Sequence, residues 1–267
     1  MNETLKRSIS GAIYIVILIA SIRFSVESFF ILFGIFLLFA VVEFCELVQL
    51  KKIIPISIAI LVYLFFYKIK LNRTYDLILL LITILVAIKL ILYLFNKRNS
   101  SINLFTKYLF LIGYILLPFV LITKLPFGIK GYNPSIIISI FILIWTNDTF
   151  AYIVGKSIGK HKLFERISPK KTIEGFVGGV VFGIIASLII SKFYIEGATL
   201  IWIIIALIVG IFGTIGDLIE SKFKRIAGVK DSGKIMPGHG GVLDRLDSVI
   251  FVAPFVFLFY QILYYVS

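Results

Sequence analysis

About nine stretches of this chain are apolar for long enough to cross a bilayer, and that one feature removes most folds from consideration. Inside hydrocarbon there is no water to bond a free N–H or C=O, so a spanning segment must be a helix or part of a closed barrel. The stretches fall near residues 8–24, 27–47, 53–69, 75–95, 104–124, 134–155, 174–194, 198–219 and 246–266. Each is close to the roughly 20 residues a helix needs to cover about 30 Å of hydrocarbon. Ile201–Gly216, within one of them, carries no charge at all. The expected fold is an all-α polytopic integral membrane protein of about nine transmembrane helices, with no separate soluble domain.

Composition points the same way. The 267 residues are 60% hydrophobic and 15% charged, with a mean hydropathy of +1.07, whereas a soluble domain is about half apolar and about a quarter charged. The first apolar run, Ile9–Ile22, has no A-x-A-like cleavage site and reads as an anchor rather than a removable signal. Cys45 is the only cysteine, which excludes an intramolecular disulfide and argues against a cysteine zinc site. His161 and His239 are the only histidines, so a multi-histidine metal centre is excluded as well. The net charge of +13 suits anionic lipid or phosphate-rich ligands and also serves topology. Nucleic acid is not an expected partner.

With Lys6 and Arg7 in the cytoplasm, nine spans put 19 basic residues inside and 7 outside, Lys89 falling within a span. That bias favours this orientation and puts two polar segments, 156–173 and 220–245, on the cytoplasmic side. Residues 1–130 read as N-terminal transmembrane helices, in which Glu43, Glu46 and Lys89 are the notable charges within spans. Residues 131–267 hold nearly all the dense polar motifs and both long loops. No internal repeat is visible, so an inverted-repeat transporter gains no support.

Asp217 directly follows the uncharged run Ile201–Gly216, and Asp244 and Asp247 stand just before the last apolar run. Carboxylates at the ends of hydrophobic segments are costly and usually serve a purpose. On a helix Asp217, Glu220, Ser221 and Lys224 share one face. Hard cations favour carboxylate oxygens, and Mg²⁺ commonly takes one or two carboxylates together with substrate phosphates. Lys222, Lys224 and Arg225 could receive those phosphates; the same cluster also reads as a topology signal. Lys230 and Asp231 follow, then Pro237-Gly238-His239-Gly240-Gly241, whose glycines allow sharp turns and bring N–H groups close to an anion. Asp244, Arg245 and Asp247 come next. They open the last span, where a helix N-terminus favours anions and where Asp247 also reads as a cap.

A second constellation lies at Asn147 and Asp148, which follow the uncharged run Ile136–Thr146 and face protein or a water-filled cavity. For Asn147, helix-to-helix hydrogen bonding is an equal reading. Lys170, Lys171 and Thr172 precede the next span, where they could hold phosphate beside a helix start; a Lys-Lys pair in that place is also an ordinary topology signal. No Walker A, GxSxG or HExxH motif is present.

The run Ser221-Lys222-Phe223-Lys224-Arg225, then Lys230-Asp231-Ser232-Gly233, then Pro237 through Asp247 (PGHGGVLDRLD) resembles the signature of phosphatidate cytidylyltransferases, or CDP-diacylglycerol synthases. Asn147-Asp148, Ser168–Gly175 and Gly213–Asp217 extend the resemblance over the C-terminal half. It implies an enzyme that joins CTP and phosphatidic acid into CDP-diacylglycerol and pyrophosphate for phospholipid synthesis in a bilayer. The expected catalytic set is Asp217, Ser221, Lys224, Arg225, Asp244 and Arg245, with Asp217 and Asp244 as metal ligands. Asn147, Asp148, Lys170, Lys171, Thr172, Lys222, Lys230, Asp231, His239, Gly240, Gly241 and Asp247 are the expected substrate contacts. The resemblance further implies Mg²⁺, a second monovalent cation such as K⁺, a homodimer, and a prokaryotic inner membrane with the site facing the cytoplasm. The rival readings are a CTP-dependent kinase of a lipid alcohol, of the dolichol or phytol type, and a cation-coupled transporter using Asp148 and Asp217.

Overall fold

A computed structural model describes residues 3–68, 72–96, 102–128, 131–195, 198–236, 238 and 240–266. Pro237 and His239, two members of the expected signature, lie outside the described residues.

Among the described residues nine apolar helices follow one another: α1 (Glu3–Phe24), α2 (Val26–Val48), α3 (Ile53–Lys68), α4 (Arg73–Phe95), α5 (Leu104–Lys124), α6 (Pro134–Ile158), α7 (Ile173–Phe193), α8 (Thr199–Ile226) and α9 (Leu243–Val266). Seven of them, all but α1 and α3, contain a window long and apolar enough to cross a membrane; α1 and α3 contribute shorter apolar stretches. Large apolar side chains such as Val16, Leu61, Leu92 and Phe193 cover the outside. A water-soluble protein rarely exposes that much contiguous apolar surface. The chain is an all-α polytopic integral membrane protein.

Local chemistry sets the boundaries. Asn72, Asn103 and Asn133 cap α4, α5 and α6 by accepting from backbone N–H groups, and Pro134 occupies the first turn of α6. Gly228, at φ +71, ends α8: its N–H reaches Arg225 O at 3.2 Å, and Val229 N reaches Lys224 O at 2.9 Å. A residue with a Cβ resists that left-handed turn, so glycine is favoured there. α5 is interrupted by a π-helical turn at Leu111–Leu116.

Two expected boundaries shift. α8 runs on to Ile226, so the polar segment expected from residue 220 begins as helix. α9 starts at Leu243 rather than at residue 246, which brings Asp244 as well as Asp247 into its first two turns. Between α6 and α7 the chain forms a small antiparallel hairpin, β3 (Lys162–Phe164) with β4 (Ser168–Thr172). A still shorter one, β1 (Phe127–Gly128) with β2 (Gly131–Tyr132), joins α5 to α6.

Contacts between distant residues sort the helix ends into two sets. At one end Arg23 donates to Tyr194 Oη at 2.8 Å, Tyr132 donates to Ile22 O at 2.7 Å, and Lys124 pairs with Asp76 at 2.9 Å. At the other end Arg225 Nε donates to Ile167 O at 3.3 Å, which ties α8 to the β3–β4 hairpin. The β3–β4 hairpin and the C-terminal end of α8 therefore lie at the same end of the bundle. Close packing supports that end. An added Cβ at Gly179 would lie 2.7 Å from Asn147 O, and one at Gly216 would lie 2.7 Å from Asp247 O, so α7 against α6 and α8 against α9 approach backbone to backbone.

Candidate functional site

Phe223 is the pivot of the polar end. It is buried and meets the rings of Phe44 at 5.4 Å, Tyr93 at 5.6 Å, Phe110 at 5.9 Å and Tyr114 at 6.0 Å. Helices α2, α4 and α5 thus grip α8 at one residue, and aromatic contacts of this kind contribute about 1 kcal/mol each beyond burial. That grip fixes the rotation of α8 about its axis and so decides which polar neighbours turn inward.

Asp217, Glu220, Ser221 and Lys224 turn inward, as their shared helix face requires. Ser221 Oγ donates to Asp217 Oδ1 at 3.1 Å, and the other oxygen of Asp217 pairs with Lys171 of β4. Lys224 Nζ stands 2.5 Å from Glu220 Oε2 and 2.6 Å from Asp244 Oδ1. Glu220 is 1% exposed, and its Oε1 has no hydrogen-bond partner among the described residues. Burial works against the Lys171 ammonium, but the charge and hydrogen bond of Asp217, with Asp148 and Asp247 beyond it, hold its pKa above the ordinary lysine value. Lys171 is therefore a persistent cation here.

A cavity of about 620 Å³ opens beside this pair. Its lining includes Asn147, Asp148, Lys170, Lys171, Thr172, Asp217, Asp244, Arg245 and Asp247, brought together from α6, β4, α8 and α9. Asn147 Nδ2 reaches Asp148 Oδ1 at 3.4 Å, while Asn147 Oδ1 is buried with no hydrogen-bond partner among the described residues. Thr172 caps α7, its Oγ1 accepting from Gly175 N at 3.1 Å. Asp247 is buried and accepts from Ser248 N at 2.7 Å.

Not every expected contact comes to the cavity. Lys222 is 2% exposed and turns to the far side of α8, where Nζ donates to Tyr93 O, to Asn96 O at 2.9 Å and to Leu94 O at 3.5 Å. Its ammonium also lies 4.1 Å from the Tyr93 ring centre. Arg166 joins it on Leu94 O at 3.4 Å and Asn96 O at 3.0 Å. Two cations thus finish the carbonyl end of α4, where the helix dipole favours positive charge, and Lys222 has no donor left for a phosphate. Arg225 is likewise engaged with Ile167 O and with Val229 O at 3.2 Å. Lys230 and Asp231 lie exposed on the connecting segment, away from the cavity wall.

The Gly-rich segment also departs from the phosphate-cradle expectation. Gly241 N donates to Asp244 Oδ2 at 2.7 Å, and Ser232 adds its N at 2.8 Å and its Oγ at 2.9 Å to the same oxygen. Val242 N and Leu243 N donate to the Glu43 carboxylate at 2.9 and 2.7 Å. The N–H groups of Gly241, Val242 and Leu243 are thus occupied by two carboxylates of the chain itself. Gly240, at φ +88, lies against Asp244: a Cβ there would sit 2.5 Å from Oδ2.

The resemblance implies Asp217 and Asp244 as metal ligands; in the structure both oxygens of Asp244 meet Lys224, Ser232 and Gly241. The carboxylates that converge are Asp217, Glu220 and Asp247, each offering an oxygen within 4.8 Å of the others. Three hard oxygen donors, one of them buried with an unpartnered Oε1, fit a divalent cation such as Mg²⁺. Glu220 was legible as a neighbour on the Asp217 face. Glu43 had one signal, a carboxylate inside a span, and no local hint of its partners.

Comparison with known proteins adds identity to this geometry. A phosphatidate cytidylyltransferase of Staphylococcus haemolyticus is 53% identical over 116 residues, which is 43% of this chain and 44% of that protein. One from Staphylococcus saprophyticus is also 53% identical, and one from Staphylococcus aureus 52%, over the same lengths. The matched stretch therefore spans less than half of each relative. The model of the cytidylyltransferase family, by contrast, matches residues 5–263, almost end to end, and on that match this chain belongs to the cytidylyltransferase family.

Proposed function

We propose that the chain transfers the cytidylyl group of CTP to phosphatidic acid, giving CDP-diacylglycerol and pyrophosphate. The observation that carries this reading is the cavity at one end of an apolar bundle, where Lys170, Lys171 and Arg245 face Asp148, Asp217 and Asp247. A water-soluble nucleotide and a lipid headgroup can meet at such an end. The names of the Staphylococcus relatives support the same substrates.

In the reaction, a phosphate oxygen of phosphatidate attacks the α-phosphorus of CTP. A new P–O bond forms, the bond from that phosphorus to the oxygen bridging to the β-phosphate breaks, and pyrophosphate leaves with that oxygen. The nucleophile is already an anion near neutral pH, so no strong base is required. Anion meets anion, and the barrier is chiefly electrostatic and positional. Lys171 and Arg245 stand where the triphosphate charge would gather, and Lys170 extends that positive rim. Lys224, held between Glu220 and Asp244, keeps those carboxylates from repelling the substrates. Asp217, Glu220 and Asp247 would hold Mg²⁺, which when bound screens phosphate charge and polarises the phosphoryl oxygens. Asn147 and Asp148 lie on the cavity wall where they could contact the nucleotide.

The same reading includes a second monovalent cation such as K⁺, a homodimer, and a bacterial cytoplasmic membrane with the polar end toward the cytoplasm. The excess of basic residues on that side supports the orientation.

The test incubates purified full-length protein in mixed micelles with phosphatidate, Mg²⁺ and CTP labelled in the cytidine or at the γ-phosphate. Lipid-linked cytidine and pyrophosphate in equal amounts are expected. Label passing from the γ-phosphate to a lipid alcohol, or no lipid-linked cytidine at all, would overturn the assignment.

A further inference from the structure

We propose that Glu43, from the N-terminal half of the chain, is a positioning residue for the site: it anchors Ser232, Val242 and Leu243 so that Asp244 faces Lys224. Glu43 lies in the last two turns of α2 and is 2% exposed. A carboxylate buried inside a span is costly unless its acceptors are filled, and here they are. Oε1 accepts from Val242 N at 2.9 Å, and Oε2 accepts from Leu243 N at 2.7 Å and lies 2.9 Å from Ser232 Oγ. The first N–H groups of a helix lack partners within it, so α2 supplies the cap for α9. Negative charge at that terminus is favourable in its own right.

Ser232 connects this anchor to the site. Its Oγ is 2.9 Å from Glu43 Oε2 and 2.9 Å from Asp244 Oδ2, so one hydroxyl links two carboxylates. The other donors to Asp244 Oδ2, Ser232 N and Gly241 N, belong to the same anchored segment. Two glycines of the segment are small for this reason. A Cβ on Gly233 would stand 2.5 Å from Glu43 Oε1, and one on Gly241 would run into both Ser232 Oγ and the Glu43 carboxylate. The hydrogen bonds of Glu43 go to Ser232, Val242 and Leu243, so it acts on Asp244 at one remove.

The anchoring does not depend on the reaction proposed above, whereas its effect on turnover does, and two readouts keep them apart. Full-length wild type, Glu43→Gln and Glu43→Asp are purified in detergent, with Asn103→Ala, which removes an ordinary helix cap at the start of α5, as the reference. Amide hydrogen exchange is followed over residues 230–245, and kcat and KM for CTP are measured. An amide at position 43 sets N–H against N–H, so Glu43→Gln is expected to raise exchange over 230–245 by about 10-fold or more while α6 and α7 keep wild-type protection. It is expected to lower kcat roughly 10- to 100-fold, as outer-shell partners typically do, with KM within about 3-fold. Glu43→Asp should recover part of both, and Asn103→Ala should lower thermal stability without changing kcat per folded molecule. Unchanged exchange over 230–245 overturns the anchoring, whether or not wild type makes CDP-diacylglycerol. Loosened exchange with a kcat per folded molecule equal to wild type overturns the positioning role. If Glu43→Gln does not accumulate, Ser232→Ala, which cuts the bridge and leaves both backbone bonds, decides the second point in the same way.

Discussion

Lys224 holds Asp244 at 2.6 Å across the joint between α8 and α9, while its other side meets Glu220 on its own helix at 2.5 Å. One ammonium therefore bridges two carboxylates from two helices. Removing a single member of such a buried group leaves charge without compensation, which costs about 3–5 kcal/mol. Lys224→Met is expected to lower stability by about that much and to reduce turnover by at least about 100-fold in the fraction that folds. Thermal unfolding in detergent, alongside activity normalised to folded protein, measures both.

The grouping of Asp217 with Glu220 and Asp247 makes a graded expectation for metal dependence. Asp217→Asn and Asp247→Asn should nearly abolish cytidylyl transfer. Glu220→Gln should raise the Mg²⁺ concentration needed for half-maximal rate roughly 10- to 100-fold. Asp244→Asn, whose oxygens are taken by Lys224, Ser232 and Gly241, should reduce turnover with a much smaller shift in that concentration. A Mg²⁺ titration of the rate separates the four variants, and equal shifts for Asp244→Asn and Asp217→Asn would contradict the grouping.

Lys222 gives the opposite expectation. Its ammonium is spent on the carbonyl end of α4, so Lys222→Met should cost about 1–3 kcal/mol of stability and leave KM for CTP within about 3-fold of wild type. A steady-state titration with CTP checks it; a KM raised 10-fold or more would return Lys222 to the phosphate-binding set.

Gly233→Ala should force the Glu43 carboxylate aside and cost about 1–3 kcal/mol, the usual range for overpacking. In a Glu43→Ala background that clash is gone, so the cost should fall by at least half. A double-mutant cycle by thermal or denaturant unfolding measures the coupling; additive costs would mean that the two residues do not meet.

How much of this was legible in the sequence depends on distance along the chain. The nine helices were, because an uncharged run such as Ile201–Gly216 announces its solvent without reference to any other segment. The shared face of Asp217, Glu220, Ser221 and Lys224 was legible too, from helical periodicity alone. The same periodicity sets Lys222 about 140° around the helix from Asp217, which is why a basic run that reads as one phosphate receiver divides between two faces. The partners of Glu43 were not legible. They lie 189, 199 and 200 residues away, and no local pattern encodes such a meeting. The Gly-rich segment is ambiguous for a related reason: glycines that admit an anion look alike whether the anion is a ligand or a side chain from another helix.

The tie between Glu43 and the start of α9 also has a meaning in time. The ribosome releases α2 into the bilayer roughly two hundred residues before Val242 and Leu243 exist. Through most of synthesis this carboxylate has none of its eventual donors, and the nascent bundle carries an unfinished point near its polar end. Arrival of the last helix finishes that point and aims Asp244 in the same event. A chain interrupted before residue 242 would therefore keep, in its second helix, an acid without its two backbone donors.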